Sequence, residues 1–203
     1  DQYSAQLVRE DFGSEPSVVV VGNPGVKLGI APAPKVIGIR ASGDLVITLC
    51  GGGYETSEQI QLLFQCLNFT SRSWKIIPRW HPKHVNQLDP KNGNRPYRET
   101  WDVLMERLGD HVVRVDELHT ENVAVASSLV LAGFSTLLST AAKAGVAAAS
   151  LVTPKVQESL QEESGLIQVP QVELGVAHLV TNPVDLASLR PCSEEVRARL
   201  IPL

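Results

Sequence analysis

Aromatic side chains are scarce in this chain: Phe, Trp and Tyr together make up 5% of it, and Ala, Val and Leu carry most of an apolar content of 43%. That balance suits the buried strands of an α/β sheet and argues against a β-sandwich. Cysteine is rarer still. Cys50, Cys66 and Cys192 share no metal-ligand spacing, so they read as small apolar residues in a reducing, cytoplasmic compartment rather than as a disulfide framework. There is no excess of positive charge. A net charge of −4 leaves no basic footprint for nucleic acid and no attraction to an anionic membrane. No apolar run approaches the roughly 18 residues of a membrane span. An initiating Met and a signal peptide are also lacking, which leads us to expect a trimmed or partial product. Asn68-Phe69-Thr70 matches a glycosylation sequon that, without evidence of secretion, reads as chance. What remains, 203 residues with 20% charged, is enough for one large domain, or one and a half small ones, with a substantial core.

From about residue 44 onward, strand-like apolar runs alternate with helix-period segments. Leu45–Cys50 is the first strand, followed by Gly51-Gly52-Gly53. Thr56 to Leu67 then places Ile60, Leu63, Phe64 and Leu67 on one helical face, with Thr56 and Gln59 spaced as a capping box. Trp74–Pro78 is a second strand. A turn-rich loop through Pro90, Gly93 and Pro96 leads to a helix with Trp101, Leu104, Met105 and Leu108 on one side. His111–Val115 reads as a third strand, about 119–126 as a helix, and Leu129–Ala132 as a fourth, fully buried strand. Ser135–Ala144 reads as a helix and Val146–Val152 as a fifth strand. A polar helix from about Lys155 to Glu163, a sixth strand at Ala177–Val180 and a short helix after Pro183 follow. A capped helix from Ser193 to Ile201 ends the chain. Repeated strand–helix alternation predicts parallel strands with right-handed crossovers, hence a doubly wound α/β sheet with helices on both faces. Such sheets bind ligands beyond the carboxyl ends of their strands. The first 43 residues differ. Val18–Val21, Gly22-Asn23-Pro24-Gly25, Pro32 and Pro34 read as a strand and a Pro/Gly-rich connector.

Several familiar catalytic signatures are missing. Gly51-Gly52-Gly53 is neither a G-x-G-x-x-G fingerprint nor a phosphate-binding Walker loop, and Gly133-Phe134-Ser135-Thr136-Leu137 lacks the second glycine of a nucleophile elbow. Three loops keep a chemical reading, and each follows a strand. The three glycines remove side chains, so a phosphate or sugar could approach the backbone; the plain alternative is a flexible turn. His81 stands directly after the second strand, and Pro82 favours an extended His81 whose imidazole could donate to a leaving phosphate; a solvated loop histidine is the alternative. His81 and His84 lack a carboxylate cluster nearby in sequence, and Pro82 between them disfavours a shared helical face, so a metal is not expected. In the third loop, Gly133 and Phe134 deliver Ser135 and Thr136 to a helix start, where backbone N–H groups and two hydroxyls suit a phosphate; Ser135 as an ordinary cap is the alternative. Asp116-Glu117 could bind a sugar hydroxyl but reads as a solvated loop, and Glu158, Glu162 and Glu163 read as surface.

In this order the motifs resemble the C-terminal half of GT-B glycosyltransferases and of the related hydrolysing UDP-N-acetylglucosamine 2-epimerases, over about residues 18 to 190. The likeness rests on Leu45–Gly53, His81-Pro82 and Gly133-Phe134-Ser135-Thr136. The paired His-Pro and Ser-Thr motifs are especially similar to those of bacterial sialyltransferases and capsule or teichoic-acid polymerases. The resemblance implies a Rossmann-like donor-binding domain at about residues 44–190. Residues 1–43 would come from the end of a preceding domain, and 191–203 would form a C-terminal helix. It implies His81 as the catalytic group on the departing phosphate. Gly51, Gly52, Gly53, Gly133, Phe134, Ser135, Thr136 and Thr140 would line the nucleotide-sugar site. The implied substrate is a nucleotide-activated sugar or polyol phosphate, with no further cofactor and no metal; the implied partner is a missing N-terminal acceptor domain that carries the catalytic base. Two departures stand out. Thr140 occupies the position where GT-B proteins often carry a Glu on the ribose, which keeps open a non-catalytic relative that has lost the nucleotide. Cys50-Gly51-Gly52-Gly53 stands where the epimerases carry a His-Arg-Arg-Glu-type segment, which disfavours an epimerase.

Overall fold

The computed structural model describes residues 29–51, 57–81, 88–89 and 93–200. Helix α1 (Pro34–Ala41) leads into strand β1 (Leu45–Gly51), helix α2 (Ser57–Phe69) and strand β2 (Trp74–Trp80). A short hairpin, β3 (Leu88–Asp89) and β4 (Arg95–Pro96), precedes α3 (Tyr97–Leu108), a 3-10 turn at Gly109–His111 and α4 (Thr120–Ala126). Strand β5 (Leu129–Ala132), α5 (Leu137–Lys143), β6 (Ala147–Leu151), α6 (Pro154–Ser164), α7 (Pro170–Glu173) and β7 (His178–Val180) follow, then a 3-10 turn at Leu186–Ser188 and α8 (Glu194–Arg199). The main sheet runs β2-β1-β5-β6-β7 with every pairing parallel. This is the expected doubly wound α/β architecture.

Period-two alternation decides which helix covers which face. Leu45, Ile47 and Leu49 of β1, with Leu129 and Leu131 of β5, pack on Leu63 and Leu67 of α2 and Leu104 of α3. Val46 and Ile77 point the other way, onto Ala33, Val36, Val123 and Ala126. Val130, Ala132 and Ala148 face Leu138 and Ala141 of α5 on that same side. Each fully buried leucine is worth about 1.5–3 kcal/mol, so the sheet is held from both faces. Thr48 is the polar exception in β1, wholly buried. Its Oγ1 lies 2.7 Å from Ser127 Oγ, whose own hydrogen goes to the Val123 carbonyl, so Thr48 must be the donor.

Three sequence expectations need correction. Residues 34–41, read as connector, form α1: Pro34 pre-sets the first turn and Val36 buries completely against β1 and α4. Gly38 in α1 has open space around the position of a Cβ, so Gly38→Ala should stabilise the fold by about 0.5–1 kcal/mol in urea denaturation.

The third strand is reduced to one parallel bridge, Ile76 with Val112, made by the Val113 N–H to the Ile76 carbonyl at 2.8 Å. Backbone groups of alternate residues in β2 face the same way, so Pro78 faces this edge too. It has no N–H to give Val113, and the ladder stops. The chain peels away into a turn in which the Leu118 N–H donates to the Val115 carbonyl at 3.0 Å, and the Arg79 guanidinium donates to the carbonyls of Val115 and Leu118 at 2.8 and 3.1 Å. A cavity of about 400 Å³ opens in the gap, bordered by Pro78, Trp80, Trp101, Arg114 and Asp116.

The third correction is the helix expected at Ser135–Ala144, which spans only Leu137–Lys143. Val18–Val21, the 22–25 turn, Thr56, Pro82, His84 and Pro90 lie outside the described residues.

At the far end of the sheet, Asp185 ties the 3-10 turn to the loop before β2. It accepts from Ser71 Oγ at 2.6 Å, Ser71 N–H at 3.2 Å and Ala187 N–H at 2.9 Å. The Ser71 hydroxyl above all holds its carboxyl below the ordinary value. A depressed folded-state value means the stabilisation is present above the unfolded-state pKa and fades as pH falls through the folded one. Asp185→Asn should therefore cost stability at pH 7, and its gap from wild type should close as acid protonates the wild-type carboxylate. Thermal melts from pH 7 to pH 2 check this.

Candidate functional site

The order β2-β1-β5 means that the chain leaves β1 towards β2 on one side and returns to β5 on the other. The carboxyl ends of β1 and β5 therefore flank the topological switch point, where doubly wound sheets open a crevice. Gly51 ends β1, His81 follows β2, and the turn 133–136 follows β5. The His81 N–H donates to the Gly51 carbonyl at 3.0 Å, extending the β1–β2 ladder by one step. β2 and β5 lie on either side of β1, so two strand spacings put the backbones of His81 and Gly133 about 10 Å apart. His81 is exposed at this edge.

Side chains of the protein itself explain both described glycines. A Cβ on Gly51 would lie 2.6 Å from Trp80 Cε3 and 3.2 Å from Trp101 Cε2. One on Gly133 would lie 2.7 Å from Gln59 Nε2. Gln59, which the sequence offered as half of a capping box, is buried and donates to the Leu151 carbonyl at 2.7 Å. Ser150 Oγ donates to the Gly133 carbonyl. The ends of β5 and β6 are thus tied down from the α2 side, making a firm crevice floor. Gly52 and Gly53 lie outside the described residues.

Phe134 is half-buried and packs on Val152, Val156 and Leu160, anchoring the turn to α6. Ser135 is half-buried; its Oγ accepts from the Leu137 N–H at 3.2 Å, and its carbonyl accepts from the Leu138 N–H at 3.2 Å. Thr136 is exposed. Ser135, one residue before the N-cap Thr136, therefore accepts from two of the first helical donors, while the Thr136 side chain makes no cap hydrogen bond. Among the described residues none accepts from the backbone N–H of Ser135 or Thr136. Thr140 sits one turn further on and is 2% exposed, because α5 is covered on every side. The structure brings Gly51, His81 and Gly133 through Thr136 to one edge and sets Thr140 below it.

Around the rim, Glu58 at the start of α2 pairs with Lys155 at the start of α6 at 3.6 Å. Thr153 caps α6, accepting from the Val156 N–H at 3.3 Å. Arg79 escaped sequence reasoning, since the second strand seemed to end at Pro78. Burial pulls its guanidinium below the ordinary value, and the Asp116 carboxylate works against that. A lone Arg between Pro and Trp was the available signal. Among the described residues no group of three His, Cys, Asp or Glu stands together as metal ligands, and no helix is long and apolar enough to cross a membrane.

No protein-family profile matches the chain, and no curated protein matches it closely. Solved structures do. A putative UDP-N-acetylglucosamine 2-epimerase from Listeria monocytogenes superposes with a TM-score of 0.52 at 16% identity, covering 90% of this chain and 45% of that one. The S. aureus MnaA–UDP co-structure gives 0.56 at 13%, covering 90% and 46%. Sucrose-phosphate synthase from Thermosynechococcus elongatus gives 0.50 at 16%, covering 97% and 52%. The chain spans about half the length of these structures. The shared fold is Rossmann-like and fits the C-terminal half of a GT-B protein.

Proposed function

We propose that this chain is the donor-binding half of a GT-B glycosyltransferase, acting on a sugar or polyol phosphate carried by a nucleotide. One observation carries the reading. At the switch point of the sheet, the 133–136 turn presents the backbone N–H groups of Ser135 and Thr136, without acceptors among the described residues, beside the exposed Thr136 hydroxyl. Preorganised N–H donors of this kind favour an anionic phosphate. Exposed His81, about two strand spacings away, would donate to that phosphate as it departs. A neighbour of the same fold was solved with UDP. In this reading residues 44–190 form the nucleotide-sugar-binding body, joined by α1, and the acceptor site and catalytic base belong to another domain.

A second reading, a non-catalytic relative, has its own support. Buried Thr140 offers no carboxylate to a ribose, and Gly51 and Gly133 are filled by side chains of the protein. Thermal melts with UDP, CMP and GDP at millimolar concentration separate the two. A ligand at 100 times its Kd stabilises by about 2.7 kcal/mol. The transferase reading expects one nucleotide to raise the melting temperature of wild type and to do so weakly in His81→Ala and Thr136→Glu. No shift with any of them would favour the non-catalytic relative. Hydrolysis of UDP-N-acetylglucosamine by the full-length protein would favour the epimerase instead.

A further inference from the structure

The cavity beside β2 collects hydrogen-bond donors that the protein leaves unused. Arg79 Nε, Trp80 Nε1 and Trp101 Nε1 are buried without an acceptor, and all three side chains line this cavity. Buried donors are rarely left this way, since each costs about 1–3 kcal/mol. No unpartnered buried acceptor borders the same space among the described residues. The imbalance is therefore one-sided.

Charge points the same way. Three guanidinium groups and two carboxylates face the cavity. Arg98 is paired with Asp102 at 3.4 Å, and the Asp116 carboxylate acts on Arg79. Exposed Arg114 has no ion-pair partner among the described residues. The volume, about 400 Å³, lies within the range of small-ligand sites. A water molecule has two lone pairs to offer such a set, whereas a carboxylate has about four acceptor sites, and its bonds to N–H donors are charge-assisted.

We propose that this cavity binds an oxyanion-bearing ligand, a carboxylate or a phosphate group, with Arg114 supplying the charge and Arg79, Trp80 and Trp101 the N–H donors. The site runs from the β2 edge to the carboxyl end of β1, where Leu49 and Gly51 border it, and its donors call for an oxyanion rather than a nucleoside. It exists because Pro78 stops the third strand: a continued ladder would have closed the space.

The protein carries its own reporters. It has three tryptophans; Trp80 and Trp101 border the cavity, while Trp74 stacks on His111 with ring centroids 4.2 Å apart. Tryptophan fluorescence of the full chain is followed while inorganic phosphate, glucuronate, glucose or uridine is added at constant ionic strength. We expect a saturable change with phosphate, glucuronate or both, the pair identifying which oxyanion is taken. Arg114→Ala, at an exposed position, should weaken it on the order of tenfold. Trp101→Phe, which keeps a ring and loses the N–H, should weaken it several-fold with Trp80 still reporting. No response to either anion overturns the proposal. So does an equal response to neutral glucose, a response to uridine alone, or undiminished anion binding by Arg114→Ala.

Discussion

Gly51→Ala is expected to destabilise the domain by about 2 kcal/mol, near the middle of the range for overpacking a filled site. The backbone of Gly51 is ordinary strand, so strain is not the cause. Space is. The new methyl would stand 2.6 and 2.7 Å from two carbons of the Trp80 ring, where carbon pairs prefer about 3.5–4.0 Å. Trp80 cannot simply swing aside, because Trp101 meets it edge-on with centroids 6.0 Å apart. Urea denaturation checks the figure, and for a chain of this size the loss corresponds to a fall of about 4–8 °C in Tm. A loss below about 0.5 kcal/mol would mean that the two rings do not hold Gly51 closed. Gly38→Ala, of opposite expected sign, is the internal control.

Thr136→Glu should cut nucleotide affinity on the order of 100-fold while leaving stability within about 0.5 kcal/mol of wild type, as for most exposed substitutions. Thr136 is exposed at the turn, so a longer side chain has room. Its carboxylate would stand where the phosphate is proposed to sit, and like charges at contact distance repel strongly even when partly screened. Thr136→Gln, of the same size without the charge, separates repulsion from crowding. Calorimetric titration with the nucleotide that stabilises wild type gives the readout. Equal affinities for Thr136→Glu and wild type would remove this turn from the site.

The parallel sheet was legible because local and tertiary signals agree in it. Leu45–Cys50 and Leu129–Ala132 are apolar runs too short for helices, and each precedes a helical pattern whose apolar face does bury, as Leu63 and Leu67 show. Where the two levels disagree, the sequence misled. Nothing in the sequence signals that the Gln59 amide donates to the distant Leu151 carbonyl, a contact made only when α2 packs beside β6. His111–Val115 has the composition of a strand, but Pro78, more than thirty residues earlier, withholds the hydrogen bond it needs. Helix α1 was hidden by Pro32 and Pro34, which read as a connector; Pro34 instead begins the helix, and Val36 anchors it through contacts with distant residues. At the candidate site, the position of the 133–136 turn at a strand end was readable. That the Ser135 hydroxyl is taken by the Leu137 N–H, and that Thr140 is buried, depended on how the turn folds back and how closely α5 is enclosed.

The central claim is that the turn after β5 grips a nucleotide's phosphate through its backbone. The most direct test is a set of amide ¹H–¹⁵N spectra of the isotopically labelled chain during titration with UDP. The account predicts that the Ser135 and Thr136 amides move furthest, saturably and downfield, as their N–H groups acquire an acceptor. Unmoved Ser135 and Thr136 amides at millimolar UDP, or shifts confined to the opposite edge of the sheet, would contradict it.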